Sequence, residues 1–216
     1  MQLTIDRQPS KATNPAFNEP AEPAVIEQTA EALRERGFTV EIAADFDDAR
    51  RKVLALIPEG AEVGQGASKT LEQIGVTAEI EGSGRYDAIR PRLRSMDRAT
   101  QGPEIRRLGA APEYWLGSAH AVTVHGEMVI VSFGGSQLGP IISGAGKVIL
   151  AVGSQKIVPD LETGFRRIEE YSYPLESARL QDAYGIPSSI NKMIILNGEV
   201  AQDRITVILI PGAIGF

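Results

Sequence analysis

The chain has 216 residues, 43% of them hydrophobic and 23% charged. These shares sit near globular averages, which excludes a fibrous or wholly disordered chain and leads us to expect one domain, over residues 19–216. Acidic residues outnumber basic ones by 28 to 22, for a formal charge of −6, which argues against nucleic acid as a partner. The absence of cysteine excludes disulfides, thiolate catalysis and cysteine-ligated zinc or iron–sulfur centres in this chain.

The sequence opens without a basic segment followed by an apolar run. Its longest apolar stretches, around 148–152 and 205–210, are strand-sized and far short of the ~20 residues that span a bilayer. No membrane association and a cytoplasmic location are expected.

Residues 1–18 carry Pro9, Ser10, Asn14 and Pro15 with little periodicity and read as a loosely ordered arm. From about residue 19 to 36 the positions Val25, Ile26, Thr29, Ala30 and Leu33 recur at helical spacing, and Gly37 supplies a stop. A half-buried strand is expected over 38–42. Asp45 then caps a helix carrying Phe46, Ala49, Val53 and Leu56 as far as Pro58. A short strand at 62–65 leads through Gly66-Ala67-Ser68 into a helix that starts near Lys69 and ends by Gly75. The alternation predicts a largely parallel sheet covered by helices.

The Arg-, Gly- and Pro-rich stretch 82–112 reads as surface loop and short helices. Strands are expected at 114–118, 121–124 and 127–131, with His125-Gly126 as the turn between the last two. A Gly-rich segment at 134–146, a strand at 147–152, a helix from about 159 to 171 and β-rich runs at 193–196 and 205–210 complete the chain.

Three segments are candidates for chemistry. In Gly64–Leu71 a strand, a Gly turn and a Ser cap aim backbone N–H groups at one spot, where Gly66, Ser68 and Thr70 would hold an anion; a capped helix with no ligand fits equally. His120 and His125, the only two histidines, are candidates for acid–base work near neutral pH, against one hydrogen-bonded strand histidine and one exposed turn histidine. Their spacing does not make a metal site. In Phe133–Pro140, Gly135, Ser136 and Gln137 offer close backbone approach and polar contacts, or simply a turn. The run is not a dinucleotide fingerprint.

In order, these pieces resemble the LUD-domain family (lactate-utilisation protein C, YkgG-like) over roughly residues 60–216. Gly66-Ala67-Ser68-Lys69-Thr70-Leu71-Glu72-Gln73-Ile74-Gly75 is similar to the family's G-x-S-x-T-L-x-E-I-G, and Ser118-Ala119-His120-Ala121-Val122-Thr123 to its S-x-N-A-[VI]-T. Lys147–Val158 is similar to its K-V-I-x-V-x-G-x-N-K-[IV]-V, and Asp160-Leu161-Glu162 and Arg166-Arg167-Ile168 complete the series. The chain departs from the family pattern at His120 (commonly Asn), Val124-His125 (commonly Glu-Asp), Ser132–Gln137 (commonly D-G-x-G-N-R-like) and Gln155 (commonly Asn).

The resemblance implies an α/β fold with a Rossmann-like, mostly parallel sheet and flanking helices, NagB/RpiA/CoA-transferase-like. It also implies a pocket for a small anionic metabolite or a nucleotide-like cofactor, and work beside iron–sulfur oxidoreductase subunits in oxidising L-lactate to pyruvate. On that reading His120 and His125 donate or shuttle protons, and Lys156 supplies compensating charge. The ligand-binding set is Gly66, Ser68, Thr70, Gly135, Ser136, Gln137 and Lys156, with no metal. Two alternatives stay open: a stand-alone CoA-transferase or sugar-phosphate-isomerase-type enzyme, and a catalytically silent binding or assembly subunit. A homodimer is compatible with the sequence, though no motif carries it.

Overall fold

The computed structural model describes residues 12–216. Residues 1–11 of the expected arm lie outside the described residues. From Asn14 onward the arm is anchored rather than loose. Pro15–Asn18 forms a 3-10 turn capped by Asn14, whose backbone and side-chain N–H groups donate to Glu170 at 2.9 and 2.8 Å, and the Tyr171 hydroxyl donates to Asn18 at 2.7 Å. These bonds span more than a hundred residues, so no local pattern announces them.

Helix α1 (Pro23–Glu35) opens with a proline, whose fixed φ and missing donor suit a first turn, and buries Ile26, Thr29, Ala30 and Leu33. Strand β1 (Thr39–Ile42) follows, and the Asp45 carboxylate accepts from Asp48 N–H at 2.7 Å to cap α2 (Phe46–Ala55). Strand β2 (Glu62–Gln65) leads into α3 (Lys69–Gln73), after which Gly75 turns the chain into α4 (Val76–Gly82).

The Arg-rich stretch forms β3 (Asp87–Ala88), α5 (Ile89–Ser95) and α6 (Gly102–Ala110). Several of its arginines are spent on ion pairs: Arg85 with Glu59 at 2.9 Å, Arg90 and Arg94 with Glu81 at 3.1 and 3.2 Å, and Arg92 with Asp87 at 2.9 Å.

Next come β4 (Tyr114–Gly117), β5 (Ala121–Thr123) and β6 (Met128–Ser132), then a π-helical turn at Pro140–Gly144 within the Gly-rich segment. Strand β7 (Lys147–Gly153) passes through a 3-10 turn at Ser154–Lys156 into β8 (Ile157–Val158). The single helix expected over 159–171 is instead α7 (Leu161–Arg167), a π-helical turn at Ile168–Ser172, and α8 (Tyr173–Tyr184). Helix α8 buries only Pro174 and Ser177, so it has no apolar stripe for periodicity to register. Strands β9 (Lys192–Leu196) and β10 (Ile205–Ile210) follow.

Six strands form a parallel sheet in the order β1-β10-β7-β4-β2-β3. A second sheet, β8-β5-β6-β9, contains the antiparallel pairs β5–β6 and β6–β9. Alternation along the strands assigns the faces. Val148, Leu150 and Val152 of β7 pack with Leu33 of α1 and with Val122, Met128 and Ile130 of the second sheet. Ile149 and Ala151 turn the other way, onto Val53, Leu71 and Ile80 of α2, α3 and α4. The second sheet's outer face, Ala121, Val129 and Val131, packs against Leu161, Phe165 and Ile168. With both faces covered, β7 and β10 are near-continuous apolar runs, as central parallel strands should be. Each fully buried Leu or Ile there contributes about 1.5–3 kcal/mol.

Candidate functional site

Ligands of open parallel sheets lie outside the carboxyl ends of the strands, where loops carry functional groups away from a fixed frame. Here the loops after β2, β4 and β7 converge with Ser132–Gln137 and with α8 around a cleft of about 240 Å³. Its lining includes Gly66, Ser68, Thr70, Ser118, His120, Ser136, Gln137 and Lys156.

At the floor, the buried Lys156 Nζ donates to Thr70 Oγ1 and to Ser118 Oγ, both at 3.0 Å. The 3-10 turn after β7 sets this position, and Gln155 fixes the turn by donating its amide to the Ile214 and Gly215 carbonyls at 2.8 and 3.2 Å. Burial, reinforced by the Arg167 charge, holds the Lys156 ammonium well below the usual lysine range. Arg167 is itself fully buried. It donates to the His120 carbonyl, to the Gln155 carbonyl at 3.2 Å and to Ser172 Oγ at 2.9 Å, and it lies over the Tyr171 ring. Burial brings its pKa down to about 10. Among the described residues neither cation forms an ion pair with a carboxylate, and one terminal nitrogen of Arg167 has no hydrogen-bond partner.

His120 accepts a hydrogen bond from Val131 N–H at its Nδ1, 3.3 Å away. Burial, then the charges of Lys156 and Arg167, push its pKa down to about 3. The ring is therefore neutral at physiological pH, with its proton on Nε2. This leaves Nε2–H as the group the ring can offer as a donor at neutral pH. His125 does not join it. The two histidines flank opposite ends of β5, and His125 sits in the hairpin turn, where its carbonyl accepts from Arg36 Nε.

The other expected residues divide. Ser68 Oγ accepts from Leu71 N–H at 3.4 Å, so it caps α3, and the residue also lines the cleft. Thr70 faces Lys156 and also donates to the Ile214 carbonyl at 3.4 Å. Gln137 is held by donating to the Val131 carbonyl at 2.7 Å. Gly135 lies outside the cleft lining, in a turn at φ +89 where its N–H donates to Ser132 Oγ at 2.9 Å.

Sequence reasoning missed Ser118 and Arg167 as site residues, although both stood inside quoted motifs. It also missed the α8 wall of Tyr173, Glu176 and Arg179. The two acidic side chains that line the cleft are paired: Glu72 with Lys69 at 2.7 Å and Glu176 with Arg179 at 2.6 Å. Among the described residues no group of His, Asp or Glu could hold a metal ion, and no helix is long and apolar enough to cross a membrane.

The fold and cleft define a Rossmann-like α/β protein with a cationic floor at the carboxyl ends of its parallel strands. The profile of the LUD domain matches residues 26–212, and the chain belongs to that family. Its structure is similar to that of a DUF162 family protein from Deinococcus radiodurans, with a TM-score of 0.53 at 13% identity, covering 88% of this chain and 99% of the other. No curated protein matches the sequence.

Proposed function

We propose that this chain is a lactate-utilisation C-like subunit that holds a small carboxylate or phosphate anion in the cleft. With iron–sulfur partner proteins in the cytoplasm, it supports the oxidation of L-lactate to pyruvate. The observation that carries the reading is the buried Arg167 guanidinium beside the buried Lys156 amine, with no carboxylate ion-paired to either among the described residues. An uncompensated buried charge is expensive, and a bound anion is the natural compensation. The Nε2–H of His120 would supply a neutral donor beside it.

A cavity of about 240 Å³ lies below the ~300–1,000 Å³ typical of drug-sized ligands, which favours a metabolite of a few carbons over a whole nucleotide cofactor. With no cysteine in the chain, electrons from the substrate would pass to partner subunits. A stand-alone CoA-transferase needs a free carboxylate nucleophile, and the pairing of Glu72 and Glu176 speaks against that alternative.

The test is thermal stabilisation by a panel of L-lactate, pyruvate, CoA, acetyl-CoA, nicotinamide nucleotides, sugar phosphates and inorganic phosphate, with each hit repeated on Ser118→Ala. A ligand at a hundred times its dissociation constant adds about 2.7 kcal/mol. Small anions are expected to stabilise the wild type and to act more weakly on the variant. A flat response across the panel would contradict the proposal.

A further inference from the structure

The floor of the cleft is built to present an amine as well as a charge. Thr70 Oγ1 directs its proton to the Ile214 carbonyl and Ser118 Oγ directs its own to the Ala119 carbonyl, so both hydroxyls meet Lys156 Nζ as acceptors. A neutral amine has two N–H bonds and one lone pair. With both N–H bonds used, the lone pair is what remains to face the cleft that Lys156 lines. Other lysines are differently disposed. Lys52 and Lys69 are paired with Glu41 and Glu72 at 2.7 Å, and Lys147 and Lys192 donate to the Asp203 and Gly134 carbonyls at 2.7 Å.

We infer that Lys156 captures the carbonyl carbon of a 2-oxo acid as an imine, using the cleft's other polar groups to seat the adjacent carboxylate. This rests on the cleft holding small acid anions. The lone pair of Nζ attacks the carbonyl carbon while the carbonyl π pair moves to oxygen. A proton passes from nitrogen to that oxygen to give the carbinolamine. With uptake of one further proton, the hydroxyl then leaves as water and a protonated imine forms. No oxidant or reductant takes part. Burial and the Arg167 charge lower the pKa of Lys156 and so enlarge the share of the nucleophilic neutral amine, the usual way a lysine is activated for this chemistry.

The experiment incubates the whole chain with pyruvate or 2-oxobutyrate and sodium borohydride, reads the intact mass, and maps the label by peptide sequencing. The hydride fixes the imine as a secondary amine, and the expected product is a single adduct per chain on Lys156. L-lactate, which has no carbonyl, should suppress the label by occupying the cleft while leaving none of its own. Labelling spread over Lys52, Lys69, Lys147 and Lys192, or no labelling in a chain that pyruvate stabilises against heat, overturns the imine while leaving the anion site standing. Absence of both labelling and stabilisation overturns the two together. Because mapping is done on the wild type, the result does not depend on a variant folding.

Discussion

Replacing His120 by asparagine isolates the electrostatics of the cleft in one titration. The ring's pKa falls from 6.5 to about 3 on folding, so the unfolded chain takes up a proton that the folded chain refuses. Such a group makes the folded state lose stability as pH drops through 6.5, and the loss levels off near the folded value. Each pKa unit corresponds to about 1.4 kcal/mol. Between pH 7 and pH 5 the unfolded imidazole gains about 1.4 units of protonation free energy over the folded one, or about 2 kcal/mol. The ring keeps some exposure towards the cleft, so screening lowers the expected figure to roughly 1–2 kcal/mol. The His120→Asn variant keeps an acceptor for Val131 N–H but has nothing to protonate. Urea denaturation followed by circular dichroism at both pH values should show the wild type losing roughly 1–2 kcal/mol more than the variant. Equal losses in the two proteins would refute the assignment of His120 as a largely buried neutral ring beside Lys156 and Arg167.

Lys156→Met should raise stability at neutral pH by roughly 1–4 kcal/mol, because an apolar side chain of similar volume replaces an uncompensated buried amine. The folded pKa of Lys156 lies below 10.5, so the wild type recovers stability as pH rises towards that value, and the gain in the variant should shrink between pH 7 and pH 10 in thermal denaturation. Arg167→Ala removes the donor to three acceptors on separate segments and leaves a cavity; chemical denaturation should show a loss of about 3 kcal/mol. Gly215→Ala sets a methyl about 2.2 Å from Thr70 Oγ1 at a backbone φ of +65. It should displace the hydroxyl that supports Lys156 and weaken anion binding about tenfold, as read by calorimetry.

Most of the parallel sheet was legible because its signals are local. Strand-length apolar runs such as Ile205–Ile210, the Asp45 cap and the Gly66-Ala67-Ser68 turn act over a few residues each. The splitting of the strands into two sheets was not legible, since β5, β6 and β9 alternate no differently from strands that would have joined the first sheet. What separates them is pairing between distant segments, such as Val131 with Met193. The site shows the same division. Residues in the first two motifs converge because each follows a strand carboxyl end. His125, only five positions past His120, is carried to the far end of the hairpin. Arg167 acts from behind the cleft, and nothing in its local sequence distinguishes it from the exposed Arg166 beside it.

The central claim is that the Lys156 cleft binds a small anion, and isothermal titration of pyruvate, L-lactate and inorganic phosphate into the wild type and Lys156→Met tests it most directly. Saturable heat is expected from at least one of these anions with the wild type, lost in a variant that remains folded. Equal binding by both proteins, or no binding of any of the three by the wild type, would contradict it.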